Sequence, residues 1–179
     1  QSYFSNSVVL KTTITNADGS QFEITDFSPR FNQHGRIYRP IAIFRIVKPI
    51  KGNPSILVKC KPVEGWSKIP AKPVRGNSHL RFDLQEDSLR LITNMPLTYL
   101  CEESPFILTE TLYFGLTWSH GIEEDLVNVS ERFLTQTIDY WNVWVKHCSI
   151  PSLYQKETIR SALTLKLHCY EDTGAILAA

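Results

Sequence analysis

Through its first two thirds the chain alternates apolar and polar side chains at a period of two, and the last third does not. Residues 8–15 (VVLKTTIT) are rich in β-branched types and stop at Asn16-Ala17-Asp18-Gly19, a hairpin signal. Residues 22–27 (FEITDF) alternate as a half-buried strand does. A polar loop at 32–36 carries His34-Gly35. Strands are then predicted over 41–47, ended by Pro49 and the turn Lys51-Gly52-Asn53-Pro54, and over 56–60, closed by Pro62. The 65–77 stretch, with Gly65, Pro70, Pro73 and Gly76, reads as a long loop or an edge crossing. Residues 79–84 and 88–94 form a hairpin pair around Gln85-Glu86-Asp87, and 106–118 (FILTETLYFGLTW) gives the strongest strand signal. Strands at this spacing predict a large antiparallel sandwich of two sheets.

The period changes near Gly121. Val127, Leu134, Ile138, Trp141 and Val145 recur at helical spacing and predict a helix from about 128 to about 146, with Asn128 or Ser130 near its cap and Ile150-Pro151 as its break. Ser152, followed three residues on by Gln155, is a capping box for a second helix. Ile159, Ala162, Leu163 and Leu167 form that helix's inner face, and Leu165 with Cys169 gives it a second apolar side. A helix apolar on two sides expects two neighbours, and one is in view. The fold class expected is mainly β with C-terminal helices: residues 1–121 an antiparallel β-sandwich, 122–150 a linker helix, and 151–179 the opening of a further helical domain. Residue 1 is Gln and the chain ends on the apolar run Gly174-Ala175-Ile176-Leu177-Ala178-Ala179, so an internal piece of a longer protein is expected.

Composition narrows the classes. A net charge of +1 lacks the clustered basic excess of a nucleic-acid binder, and no run of 18 apolar residues suggests a membrane span. No secretory leader pattern opens the chain. Cys60, Cys101, Cys148 and Cys169 form no CxxC and read as reduced core thiols, which suits a cytoplasmic setting.

The C-terminal segment resembles the bacterial branch of glycoside hydrolase family 15, the glucoamylase-like and trehalase-like enzymes. Arg160, Ser161, Ala162, Leu163, Leu165 and Lys166 match the family's Arg-Ser-Ala-Leu-x-Leu-Lys helix. Tyr170, Thr173, Gly174, Ala175, Ile176, Ala178 and Ala179 match its Tyr-x-x-Thr-Gly-Ala-Ile-x-Ala-Ala turn. Upstream, TDFSPRF (25–31), FRIVKPIKG (44–52) and YWNVWVKHC (140–148) are similar to family segments in the same order. The resemblance implies an inverting α-glycosidase hydrolysing terminal α-glucosyl linkages in an (α/α) barrel, with an α-glucoside as substrate and no cofactor. It also implies that the sugar-pocket loops and both reacting glutamates follow the last residue here, so that this chain is structural and inactive alone.

The residues themselves agree. Inverting hydrolysis needs an acid and a base carboxylate ~6.5–9.5 Å apart. Glu102-Glu103, Glu123-Glu124-Asp125 and Glu110 read as surface charge, and Glu171-Asp172 matches no reacting position of the family. No catalytic, substrate-binding or metal residue is assigned. His147-Cys148 and His168-Cys169 suggest zinc, but adjacent helical residues diverge by ~100° and do not easily serve one ion. Trp66, in the 65–77 loop, and Trp144, offset from the helical stripe, are the aromatics open to a sugar, whereas Trp141 belongs to packing. Arg160 and Lys166 are expected to pair at the seam between sheet and helices. A non-catalytic sandwich module binding carbohydrate or a protein partner is the alternative, and self-association through the exposed C-terminal helix a third reading.

Overall fold

Hairpin chemistry builds the sheet outward from its second turn. The computed structural model describes residues 1–65, 68–85 and 87–177. Strands β1 (Ser2–Tyr3), β2 (Leu10–Thr15) and β3 (Gln21–Phe27) open the chain. The β2–β3 turn closes where expected: Gly19 takes φ +81°, and the Asp18 carboxylate accepts from the Ser20 N–H and hydroxyl. A small hairpin, β4 (Phe31–Gln33) and β5 (Arg36–Tyr38), occupies the predicted polar loop, its tip carried by His34 and Gly35 at positive φ. Then come β6 (Ala42–Lys51), β7 (Ser55–Ile56), β8 (Pro73–Arg75), β9 (His79–Asp83), β10 (Ser88–Thr93), the short helix α1 (Leu97–Cys101), β11 (Phe106–Ile107) and β12 (Leu112–Trp118). Helices α2 (Leu126–Lys146) and α3 (Gln155–Leu167) finish it.

Eight strands form one antiparallel sheet in the order β1-β2-β3-β6-β12-β10-β9-β8. Successive residues of β6 and β12 serve opposite faces. Phe44, Ala42 and Ile46 of β6 with Tyr113 of β12 meet Leu126, Val129 and Phe133 of α2. Val47, Phe114 and Leu112 meet Leu80, Phe82, Leu89 and Leu91, beneath a second layer made by α1, Leu108 and the β7–β11 pair. Mainly β structure with a large antiparallel sheet and C-terminal helices is therefore what the period predicted. A third cluster joins the helices: Trp141 and Val145 of α2 close on Leu163 of α3.

Several boundaries differ from expectation for identifiable reasons. The 106–118 run is two strands, because the chain leaves the sheet at Leu108, whose N–H is taken by the Pro54 carbonyl. Glu110, exposed as expected, lies in that break and not on a strand. The 56–60 strand shortens to Ser55–Ile56. Helix α2 begins earlier than 128 because Asp125, not Asn128 or Ser130, caps it, accepting the Asn128 N–H at 3.0 Å. Its buried stripe runs through Leu126, Val129, Phe133, Thr137, Trp141 and Val145, leaving Val127, Leu134 and Ile138 at the margin. Thr137 is what an apolar pattern misses, a polar residue buried because its hydroxyl is used. Ser152 caps nothing: α3 starts after Tyr154, which holds a left-handed backbone without a side-chain cap. Leu167 is exposed and not on an inner face, as is Leu165, so that Leu163 alone on α3 is fully buried. The cysteines are all free, but Cys101 is exposed and so is no core thiol.

On β12, Tyr113 donates its hydroxyl to Glu131 of α2 at 2.7 Å. Burial first, and the Glu131 carboxylate second, push this phenol from 10.0 up to about 12. A raised folded-state pKa contributes stability that is full below the ordinary value and lost as pH climbs through the folded one. Stability should fall between about pH 10 and 12 as Tyr113 ionises. A melting series across that range, run beside phenolate absorbance, checks it; Tyr113→Phe should flatten the step.

Candidate functional site

The segment Ser28-Pro29-Arg30 turns the chain from β3 into β4 directly beneath α2. Pro29 is fully buried, so the residue after it emerges inside the seam between sheet and helices. The Arg30 N–H donates to the Thr137 hydroxyl at 3.2 Å, and its Nε donates to the Tyr140 hydroxyl at 3.3 Å. The guanidinium lies over the rings of Tyr140 and Trp141, at 5.7 and 5.5 Å from their centroids. Its Nη2 pairs with Glu171.

Glu171 takes a second cation, Lys166 Nζ, at 2.9 Å on its other oxygen. The Arg30, Lys166 and Glu171 side chains are 13%, 19% and 18% exposed, so this is a mostly buried cluster and not a surface pair. Beside it Arg39 reaches Asp172 at 3.2 Å, and Asp172 in turn holds the Tyr170 phenol above its usual range by accepting its hydrogen bond.

The cluster fastens a tight C-terminal turn. The Tyr170 N–H donates to Ala175 O and the Gly174 N–H to Tyr170 O, with Gly174 at φ +73°, a left-handed conformation that favours glycine. The Ala175 N–H finds the Thr173 hydroxyl at 3.3 Å. A bridge between Cys169 and Ile176 completes it. The residues that carry the sequence resemblance from 170 to 176 therefore form one compact reversal; Ala178 and Ala179 lie outside the described residues. Arg160, near the middle of α3, donates to Ser7 O at 2.7 Å and covers the Tyr3 ring at 3.8 Å. Arg160 and Lys166 thus both sit on the sheet–helix seam.

Glu171 is an anchor by its chemistry. Burial works against its charge, but the Lys166 ammonium and the Arg30 and Arg39 guanidiniums outweigh that and hold the carboxyl below the usual range. A carboxylate so held carries no proton to donate near neutrality. Several other acidic residues are engaged at the surface. Glu103 pairs with Lys61 at 2.6 Å and Lys59 at 3.6 Å, Glu124 pairs with Arg132, and Asp125 is the α2 cap. Glu102 and Glu123 are exposed or nearly so.

Two concavities lie on opposite sides of the sheet. The first, of about 620 Å³, lies on the sheet face away from α2, over Phe22, Ile24, Val47 and Phe114 and beside the 55–60 segment. Its rim holds Arg45, bound at two points to Asp26 and so raised in pKa by that bond. The second, of about 450 Å³, lies between α2 and β4 and includes Tyr140 and Trp144. Trp144 is half-buried there as the offset position implied; Trp141 is fully buried; Trp66 lies outside the described residues.

Arg30 is the residue that sequence reading passed over. It stands in the quoted TDFSPRF segment, and a cation held directly between a proline and a phenylalanine was the available signal.

No family model matches the chain. No solved structure matches it either. It is similar to curated proteins named trehalase. The one from Thermoplasma acidophilum is 41% identical over 160 residues, covering 87% of this chain and 27% of that protein. The one from Thermoplasma volcanium is 26% identical over 166 residues, 87% of this chain and 26% of that protein. The one from Mycolicibacterium smegmatis is 28% identical over 151 residues, 76% of this chain and 22% of that protein. The chain thus spans about a quarter of the length of the curated relatives it matches.

Proposed function

We propose that the chain is the β-domain, linker helix and first barrel helix of a trehalase-like α-glycosidase of the inverting type, resembling glycoside hydrolase family 15. Residues 1–121 form the bed, 122–150 the linker, and 151–179 the opening of the catalytic part. The 41% identity to a trehalase across 87% of the chain carries this reading. The seam supports it: Arg30, Lys166 and Glu171 fix the turn after α3 against the sheet, so that whatever follows starts from a defined place. The reacting carboxylates belong to other parts of the longer polypeptide, and its further helices cover the exposed Leu165 and Leu167 of α3.

Water attacks one anomeric carbon of an α,α-linked disaccharide while an acid protonates the departing oxygen. Inversion at the attacked carbon yields one β-glucose, and the leaving half retains its α configuration. Glucose release from α,α-trehalose, followed by proton NMR of the first products, tests this. The complete reading frame should give equal β and α anomers at early time, and the 179-residue chain should give none. Turnover by the chain alone would overturn the division of labour; equal anomers failing to appear from the complete frame would overturn the glycosidase reading or its stereochemistry.

A further inference from the structure

Helix α2 carries a second stripe beside its buried one. Gln136, Tyr140, Trp144 and His147 fall at helical spacing along a side that β4 only partly covers, and with Asp139 and the β4 residues Phe31 and Asn32 they line the open cleft of about 450 Å³. We infer that this cleft binds a neutral pyranoside, with Tyr140 and Trp144 as the stacking platform and Asp139 and Asn32 as its hydroxyl partners.

The rings are fixed before any ligand arrives. Tyr140 and Trp144 both stand edge-on to the buried Trp141, at 5.2 Å and 81° and at 6.1 Å and 82°. Arg30 holds the Tyr140 hydroxyl from behind. Rigid aromatic faces suit the flat C–H side of a sugar ring, at little entropic cost.

The polar groups are those a polyol needs. Asp139 is an exposed carboxylate able to accept from vicinal hydroxyls, and the Asn32 amide is exposed opposite it. Nδ1 of the exposed His147 is engaged with Val143 O at 2.8 Å. Gln136 also lines the cleft, but its Oε1 is buried out of reach of a ligand.

Charge chooses among ligands. The lining contains no Lys or Arg, so phosphate and other anions find no counter-charge. Its single carboxylate is too few for a hard cation, which takes six or more oxygens. The volume falls within the ~300–1,000 Å³ of small-molecule sites. The inference stands on the cleft's chemistry and does not depend on the glycosidase reading.

Titration of the 15N-labelled 179-residue chain with methyl α-D-glucopyranoside, maltose and α,α-trehalose tests it. Saturable shifts are expected at Asn32, Gln136, Asp139 and the Trp144 indole N–H. Asp139→Asn, at an exposed position, should weaken binding about tenfold with an unchanged melting curve. Trp144→Ala should abolish it. An absence of saturable shifts, shifts centred instead on Leu57 and Cys60 of the sheet-face cavity, or unchanged affinity in Asp139→Asn would each overturn the assignment.

Discussion

Trp141→Ala is expected to destabilise the chain by about 3–5 kcal/mol, the largest effect of any single truncation in the helical part. Trp141 is fully buried where α2 meets α3, against Val145 and Leu163, with Val8, Tyr140, Trp144 and Ile159 around them. The Arg30 guanidinium covers its ring as well. Removing the indole leaves a void that neighbouring side chains on two helices and the segment before β2 cannot all close at once. Trp141→Phe should behave differently. The indole Nε1 is buried with no hydrogen-bond partner, so phenylalanine loses packing but also removes an unsatisfied donor. A cost of about 1 kcal/mol or less is expected for it. Denaturant unfolding of the two variants measures the difference; equal large losses would mean that the indole nitrogen has a partner after all.

The parts of the fold that the sequence discloses are those whose cause is local. The β2–β3 hairpin was legible because Asn16, Asp18 and Gly19 carry the turn in their own side chains and backbone. Strands β9 and β10 were legible because alternate residues are buried along them, β6 because Ala42, Phe44 and Ile46 bury one face over its first half, and α2 because its stripe is long. Short elements gave no comparable signal. Helix α1 has five residues and no side-chain cap, and β8 is a three-residue edge that exists because β9 offers it hydrogen bonds. The start of α3 was misread for the same reason. A capping box is a local preference, and here the chain enters the helix through Tyr154, in a left-handed conformation with no side-chain cap.

The seam cluster was the least legible feature. Arg30 and Glu171 lie 141 positions apart, and neither carries a local mark of its partner. Thr137 likewise interrupts an apolar stripe, and only the Arg30 N–H that meets it explains why a hydroxyl belongs there. Arg160 and Lys166 were expected at such a seam from their place in the helix motif; Lys166 meets Glu171 only five residues on, whereas Ser7, which Arg160 meets, lies 153 positions away and comes from tertiary structure alone.

Glu171→Gln should release the C-terminal turn while leaving the sheet intact. The substitution keeps the shape but removes the charge that Arg30 and Lys166 share, stranding two mostly buried cations. Because the three side chains are neither fully dry nor fully wet, the cost lies between the limits for surface and buried pairs, at about 2 kcal/mol. A cycle with Arg30→Ala should show coupling of about 1–3 kcal/mol, since the two residues act as one contact. Acid tests the same clasp without mutation. Despite burial, Lys166, Arg30 and Arg39 hold the Glu171 carboxyl below the ordinary 4.5, so its contribution is complete above that value and is lost as pH falls through the lower folded-state pKa. Amide exchange across residues 168–177 should therefore quicken on acidification before the amides of β6 and β12 do. The Glu171→Gln protein should exchange quickly there at every pH, with no acid step left to find; a step that survived the substitution would assign the clasp to another carboxylate, with Asp172 the neighbour to try next.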